Sequence, residues 1–246
     1  WKMLVENQTD TCHPMVAHES SAGTAVKIWG ELGNPEPRPP AMQIIAPFMS
    51  PYEFFENMGI RTWPNGHGHT GVHHSIHSDY SSIPGYFEAM CEAYGEDRAK
   101  EILDENRHTI YFPSIMVKGP IQQLRNFIPL GPNKTLVESY IYRLVDAPDQ
   151  FLARTAMYNR MINAPTSIVG HDDLEMYERA QEGLMSNGLE WMNLQRLYPT
   201  DGEDFSEEAI ENGTTERQMR NQFDAWRKFM TETMKRSAVG EVEAAE

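Results

Sequence analysis

Residues 109–144 read TIYFPSIMVKGPIQQLRNFIPLGPNKTLVESYIYRL, and this stretch decides the fold class. It holds three strand-like runs, 109–117, 121–128 and 135–144, rich in aliphatic, aromatic and β-branched residues. The connections, Lys118-Gly119-Pro120 and Gly131-Pro132-Asn133, are turn chemistry suited to hairpins. Links this short leave no room for a crossover helix, so successive strands must run antiparallel.

Helical patterns lie on both sides. Downstream, Pro148 opens a helix through about Asn163, as proline does in a first turn. A second helix runs from Asp172 to about Met185, with Leu174, Tyr177, Gln181 and Leu184 on one stripe. The last begins near Thr215, whose spacing to Gln218 is that of a capping box, and Met219, Phe223, Trp226 and Met230 form its core-facing stripe.

Upstream, 84–94 and 96–106 read as two helices parted at Gly95. Pro35, Pro37, Pro39 and Pro40 make 33–41 a loop, and 42–48 reads as a short apolar strand. Residues 65–79 hold His67, His69, His73, His74 and His77 at mostly alternating spacing, which suits a strand with one face toward a cavity. Residues 1–18 read as helical. Helices beside one antiparallel sheet make an α+β domain, expected over residues 1–236, with a disordered tail at 237–246.

Two segments carry chemistry. Glu6-Asn7-Gln8-Thr9-Asp10-Thr11-Cys12-His13-Pro14-Met15-Val16-Ala17-His18 contains two histidines five residues apart, and Asp172-Asp173 is an acidic pair far downstream. Together they can supply two imidazoles and one carboxylate, a set that leaves positions open for oxygen on non-haem Fe(II). Each half alone has a plainer reading, as surface histidines and as a helix N-terminal cap. On an ideal helix, residues five apart differ by about 140°, so His13 and His18 would not converge unaided, and a bend at Pro14 is one way to turn both toward one ion.

The first segment resembles the iron-binding segment of the catalytic domain of Rieske-type aromatic-ring-hydroxylating oxygenases, large (alpha) subunit. His171-Asp172-Asp173-Leu174-Glu175-Met176-Tyr177-Glu178-Arg179-Ala180-Gln181-Glu182-Gly183-Leu184 is similar to the segment that carries the third ligand. Phe112-Pro113-Ser114, Leu124-Arg125 and 128–135 resemble the family's central strands. The likeness keeps its order from about residue 1 to about residue 235.

The resemblance implies a helix-grip (START-like) sheet with flanking helices and Fe(II) held by His13, His18 and Asp173, leaving Asp172 to cap its helix. It places Asn7 beside the iron. Asp10 would bridge a ligand histidine to the Rieske domain of a neighbouring alpha subunit in a trimer. Gln8, Ile168, Val169, His67 and His69 would line the substrate pocket. The implied reaction uses O2 to hydroxylate or dihydroxylate an aromatic substrate, and the style of Gly183-Leu184 and Glu190-Trp191 points to an aromatic acid. Electrons would come from NADH through a ferredoxin or reductase and a [2Fe–2S] Rieske cluster, and a beta subunit could complete an α3β3 hexamer. That cluster needs two cysteines and two histidines in fixed motifs. Cys12 and Cys91 form neither motif, and the first residue is Trp1, so a longer parent is expected to carry the cluster.

A formal charge of −15 argues against nucleic acid, which demands clustered Lys and Arg. No apolar run approaches the roughly 18 residues of a membrane span, and two cysteines make no disulfide framework, so a cytoplasmic enzyme is expected. Two other functions compete. A helix-grip domain that only binds a hydrophobic ligand would purify without stoichiometric iron, and a zinc protein built on His67 to His77 would keep its metal after His13 and His18 were replaced.

Overall fold

The computed structural model describes residues 1–77, 83–104, 107–164 and 166–243. Its centre is a seven-stranded antiparallel sheet in the order β6-β5-β4-β3-β2-β1-β7. The strands are β1 Ile60–Thr62, β2 Gly68–Thr70, β3 His108–Tyr111, β4 Ile115–Lys118, β5 Gln123–Gly131, β6 Lys134–Ile141 and β7 Ala209–Glu211. Six strands thus follow chain order and the last returns to pair with β1. The helices are α1 Lys2–Asn7, α2 Pro14–Ala17, α3 Thr24–Glu31, α4 Pro40–Ile45, α5 Tyr52–Met58, α6 Tyr86–Tyr94, α7 Glu96–Asp104, α8 Asp149–Tyr158, α9 Gly170–Met185 and α10 Arg217–Glu243. The α+β class is therefore as expected.

The run 109–117 is two strands, not one. Tyr111 pairs with Ile115 across a turn at Phe112-Pro113-Ser114, because proline has no N–H to give a ladder. The run 42–48 is helical rather than extended: α4 continues into a 3₁₀ turn, Ala46–Met49. Pro40 stands at its start, where its fixed φ suits a helix. Ile44, Ile45 and Phe48 then fall on one face, packed with Ala22, Ile121, Tyr158, Ile162 and Val169. A short apolar run fits either period, and here the proline decides.

Only Gly68–Thr70 of the histidine-rich stretch is a strand; Gly66 and Gly71 have positive φ on either side of it. Asp79 and Asn106 lie outside the described residues. At α10, the Thr215 Oγ1 accepts from the Arg217 N–H at 3.2 Å, but no reciprocal box forms. Gln218 instead donates to the Gly66 carbonyl at 2.8 Å, and Asn221 donates to the Trp63 carbonyl at 2.8 Å, so buried amides of α10 hold the β1–β2 turn. The helix extends past Ser237, where a tail is expected from the sequence. No helix among the described residues is long and apolar enough to cross a membrane.

Strand alternation settles which face works. The pairs Thr70↔His108, His108↔Lys118, Lys118↔Gln123 and Met116↔Arg125 put all these side chains, with Ile110, on one face. Leu4 and Val5 of α1 and Ala225 of α10 pack against Ile110, Phe112, Met116 and Phe127 at one end of that face. Tyr158 of α8 covers Lys118 at the other. The helices that carry the acidic pair and the two histidines therefore meet above the inward face of the sheet.

Gly213 fastens this assembly. Its N–H donates to the Glu56 carbonyl at 2.9 Å, and its own carbonyl accepts from Thr11 Oγ1 at 2.6 Å. A Cβ there would overlap the Phe55 carbonyl oxygen and crowd the Gly59 nitrogen, both backbone atoms that cannot swing away. Gly213→Ala should cost about 1–3 kcal/mol, a fall of several degrees in Tm. An unchanged thermal melt would contradict this reading of the contact.

Candidate metal centre

The ligand segment is not a continuous bent helix. Helix α1 ends at Asn7, the chain turns through Gln8 to His13, and α2 begins at Pro14. His13 and His18 therefore flank a four-residue helix instead of sharing a longer one, which frees their side chains from the 140° separation. Proline contributes by starting α2, not by kinking α1. The turn is tied down at several points: Thr9 donates to the Glu6 carbonyl, Thr11 to the Gly213 carbonyl, and the Asp10 carboxylate accepts from the N–H groups of Cys12 (3.2 Å) and His13 (2.9 Å). Arg196 adds an ion pair to Asp10 at 3.2 Å. Burial would raise the Asp10 carboxyl, but His13, the Cys12 amide and Arg196 outweigh it and hold the group below the usual carboxylate range.

Three ligand atoms converge. Nε2 of His13 lies 3.8 Å and Nε2 of His18 lies 3.6 Å from Oδ1 of Asp173, and one ligand atom from each of the three residues lies within 4.8 Å of the others. First-row metals with bonds of about 2.0–2.2 Å bring neighbouring donors to roughly 3–3.5 Å, so small side-chain shifts suffice to close on an ion. Among the described residues this is the one cluster with that geometry.

The remaining atoms of the histidines are spoken for in a way that suits ligation. His13 Nδ1 faces the Asp10 backbone carbonyl at 3.0 Å, and His18 Nδ1 faces Asp172 Oδ2 at 3.2 Å. Each acceptor fixes the proton on Nδ1 and leaves the Nε2 lone pair aimed at Asp173. Burial lowers the His18 pKa and so favours the neutral ring, against the opposing pull of Asp173. Asn7 Nδ2 donates to Asp173 Oδ1 at 3.1 Å, Gln8 donates to Asn7 at 2.7 Å, and Arg125 donates to Gln8 at 3.3 Å. The donor set and its orientation fit a mononuclear Fe(II) site with two histidines and one carboxylate.

Asp172 does not cap its helix. Because α9 starts at Gly170, Asp172 is already its third residue, and its carboxylate turns to accept from Ser20 (3.0 Å) and Ser21 (2.6 Å) as well as His18. Other expected residues also move. Val169 is wholly buried in the core and Ile168 is exposed. His67 accepts the Phe112 N–H at 3.0 Å. His69 points from the opposite face of β2, packs on Trp63, and burial holds it near 4. None of these four lines the chamber around the triad. Gln8 does, as does His77, while His74 is bonded to the Phe54 carbonyl.

The chamber's other walls escaped sequence reading. Phe48, Phe55, Met58 and Ile162 give it apolar surface, and His108, Lys118, Arg125 and Tyr158 give it polar groups. The signal for Lys118 and Arg125 was charge at inward strand positions, invisible until the register is known. Gln8, Arg125, Ile162, Asn163 and Asp173 also border an outer cavity of about 790 Å³ that runs along Tyr177 and Gln181, a size suited to a small organic ligand.

Residues 1–232 match the family described as ring hydroxylating alpha subunit (catalytic domain). No curated protein matches the chain. Among solved structures, naphthalene 1,2-dioxygenase with indole bound in its active site is 19% identical, with a TM-score of 0.57 over 92% of this chain and 51% of that one. The naphthalene 1,2-dioxygenase of Rhodococcus sp., bound to indole, is 22% identical, with a TM-score of 0.58 over 94% of this chain and 53% of that one. At such identities the likeness is one of fold, and the chain spans about half the length of these proteins. The family match covers nearly the whole sequence, and the chain belongs to the catalytic domains of ring-hydroxylating alpha subunits.

Proposed function

We propose that residues 1–236 form the oxygen-activating domain of a Rieske-type oxygenase, which uses O2 to hydroxylate or dihydroxylate an aromatic substrate. The observation that carries this reading is the convergence of His13, His18 and Asp173 with both Nδ1 atoms already engaged. Fe(II) bound there would supply one-electron chemistry and open positions for oxygen.

The chain's own residues do the positioning. Asp172 and the Asp10 carbonyl hold the two imidazoles in the ligating tautomer. Asn7 steadies the Asp173 carboxylate, and Gln8 links Asn7 to Arg125 on the sheet. The apolar chamber wall excludes water and seats a flat ring. In this reading the sheet with α10 against it is the helix-grip arrangement. Asp10, three residues before His13, is the contact for the Rieske domain of a neighbouring alpha subunit. A [2Fe–2S] cluster held by that domain would supply electrons drawn from a ferredoxin or reductase, and a beta subunit would complete the assembly in a cytoplasmic setting.

Metal analysis of variants gives the first test. His13→Ala, His18→Ala and Asp173→Ala should each lose stoichiometric Fe(II), because each deletes a coordinate bond. Asp172→Ala should stay folded and bind Fe(II) about 10–100-fold more weakly, since it loosens His18 rather than removing a ligand. Full iron in Asp173→Ala would refute the assignment. For activity, hydrogen peroxide brings both oxygen atoms and the reducing equivalents, so it bypasses the electron partners. Fe(II)-loaded protein given peroxide should convert some members of a panel of aromatic acids and hydrocarbons to hydroxylated products, and Asp173→Ala none. Iron bound without product in any arm would favour a domain that only binds its ligand.

A further inference from the structure

Two basic side chains are buried in the chamber with no carboxylate in direct contact. Lys118 is 94% buried, being 6% exposed, and among the described residues its side chain makes no hydrogen bond or ion pair; its ammonium lies 5.7 Å from the Tyr158 ring centre. The Arg125 side chain has a single hydrogen bond among the described residues, to the neutral Gln8 amide, and its Nε is buried without a partner. Since Lys118 pairs with Gln123, Arg125 is its diagonal neighbour on β5, about 7–8 Å away in such a ladder. Burial above all, with repulsion from Arg125, pushes the Lys118 ammonium down to about 7 against the pull of Asp173.

Among the described residues no carboxylate of the wall pairs directly with either; Asp173 attracts both only from beyond ion-pair distance. The chamber's acids are Asp10 and Asp173. Asp10 is engaged by Arg196 and two backbone amides, and Asp173 by Asn7 and the two histidines. Buried like charges left uncompensated are unfavourable, so an anion that enters the chamber gains from both. Phe48, Phe55, Met58 and Ile76 supply the apolar surface beside them.

We propose that Lys118 and Arg125 are the anchor for a carboxylate on the aromatic substrate, so that the domain selects aromatic acids over unsubstituted hydrocarbons. This rests on the reading of the chamber as an aromatic-substrate site, and it names two specificity-determining residues on the floor of the sheet. A planar carboxylate can accept from the guanidinium on one oxygen and from the ammonium on the other.

Benzoate and nitrobenzene have the same shape and differ in charge, and so do 2-naphthoate and 2-nitronaphthalene. Calorimetric titration of each into the purified chain, metal-free and Fe(II)-loaded, separates the anchor from direct coordination to iron. The acids should bind at least about tenfold more tightly than their nitro partners in both forms, and Lys118→Met or Arg125→Met should each erase about tenfold of acid affinity while leaving nitro-compound affinity within about twofold. Lys118→Arg should keep the preference. Equal binding of acid and nitro compound by the unaltered chain would overturn the proposal, as would a preference that survives in both methionine variants. Should those variants fail to fold, the comparison on the unaltered chain decides. Failure to bind Fe(II) would count against the oxygenase reading, whereas the metal-free titration would still decide the anchor.

Discussion

The centre depends on the Asp172 carboxylate more than on any other single contact. It accepts from Ser20, Ser21 and His18 at once and so locks the first turn of α9 against the chain that leaves α2. That lock sets the depth of Asp173, one residue on, relative to both imidazoles. Ion pairs at an exposed surface are worth little. Here the histidine is 1% exposed and the carboxylate is shielded, so the bonds act in a medium where geometry is held firmly. On the other flank, Asp10 folds the turn before His13 onto itself and onto Arg196. The two histidines are thus oriented from two separate elements, which is what a ligand set drawn from distant parts of a chain needs.

Sheet and site share one logic. Short antiparallel strands give a face whose alternate positions are known once the register is set. One end of that face is closed by α1 and α10 with aliphatic and aromatic side chains. The other end, which lies under the triad, carries His108, Lys118, Gln123 and Arg125. Polar residues there forgo apolar packing, and the chamber is the return. Gln123 is satisfied by Asn159 and Asn163, whereas among the described residues no carboxylate of the wall pairs directly with Lys118 or Arg125.

Much of this was legible in the sequence, for physical reasons that differ by element. The β5–β6 hairpin was readable because Pro132-Asn133 permits one tight turn, and its register closes at Gly131↔Lys134. The ligand residues were legible only through the resemblance of the segments around them, since a histidine pair and an acidic pair each have plainer uses. The strand expected at 42–48 is a helix because a seven-residue run, apolar except for Gln43, fits either period, and Pro40 at the helix start decides between them. Asp172 was misread because an acidic pair at the start of a helix looks the same whether it caps the backbone or reaches across to His18. His69, expected in the pocket, lies on the opposite face of β2, and Lys118 drew no reading, since a one-residue slip in register exchanges the two sides of a strand.

The central claim is that iron binds through Nε2 of both histidines and the carboxylate of Asp173. Anomalous diffraction at the iron edge, from crystals of the chain loaded anaerobically with Fe(II), tests it most directly. One peak is predicted, between His13 Nε2, His18 Nε2 and Asp173, with Asp172 still on His18 Nδ1. A peak elsewhere, ligation through Nδ1, or Asp172 in place of Asp173 would contradict the account.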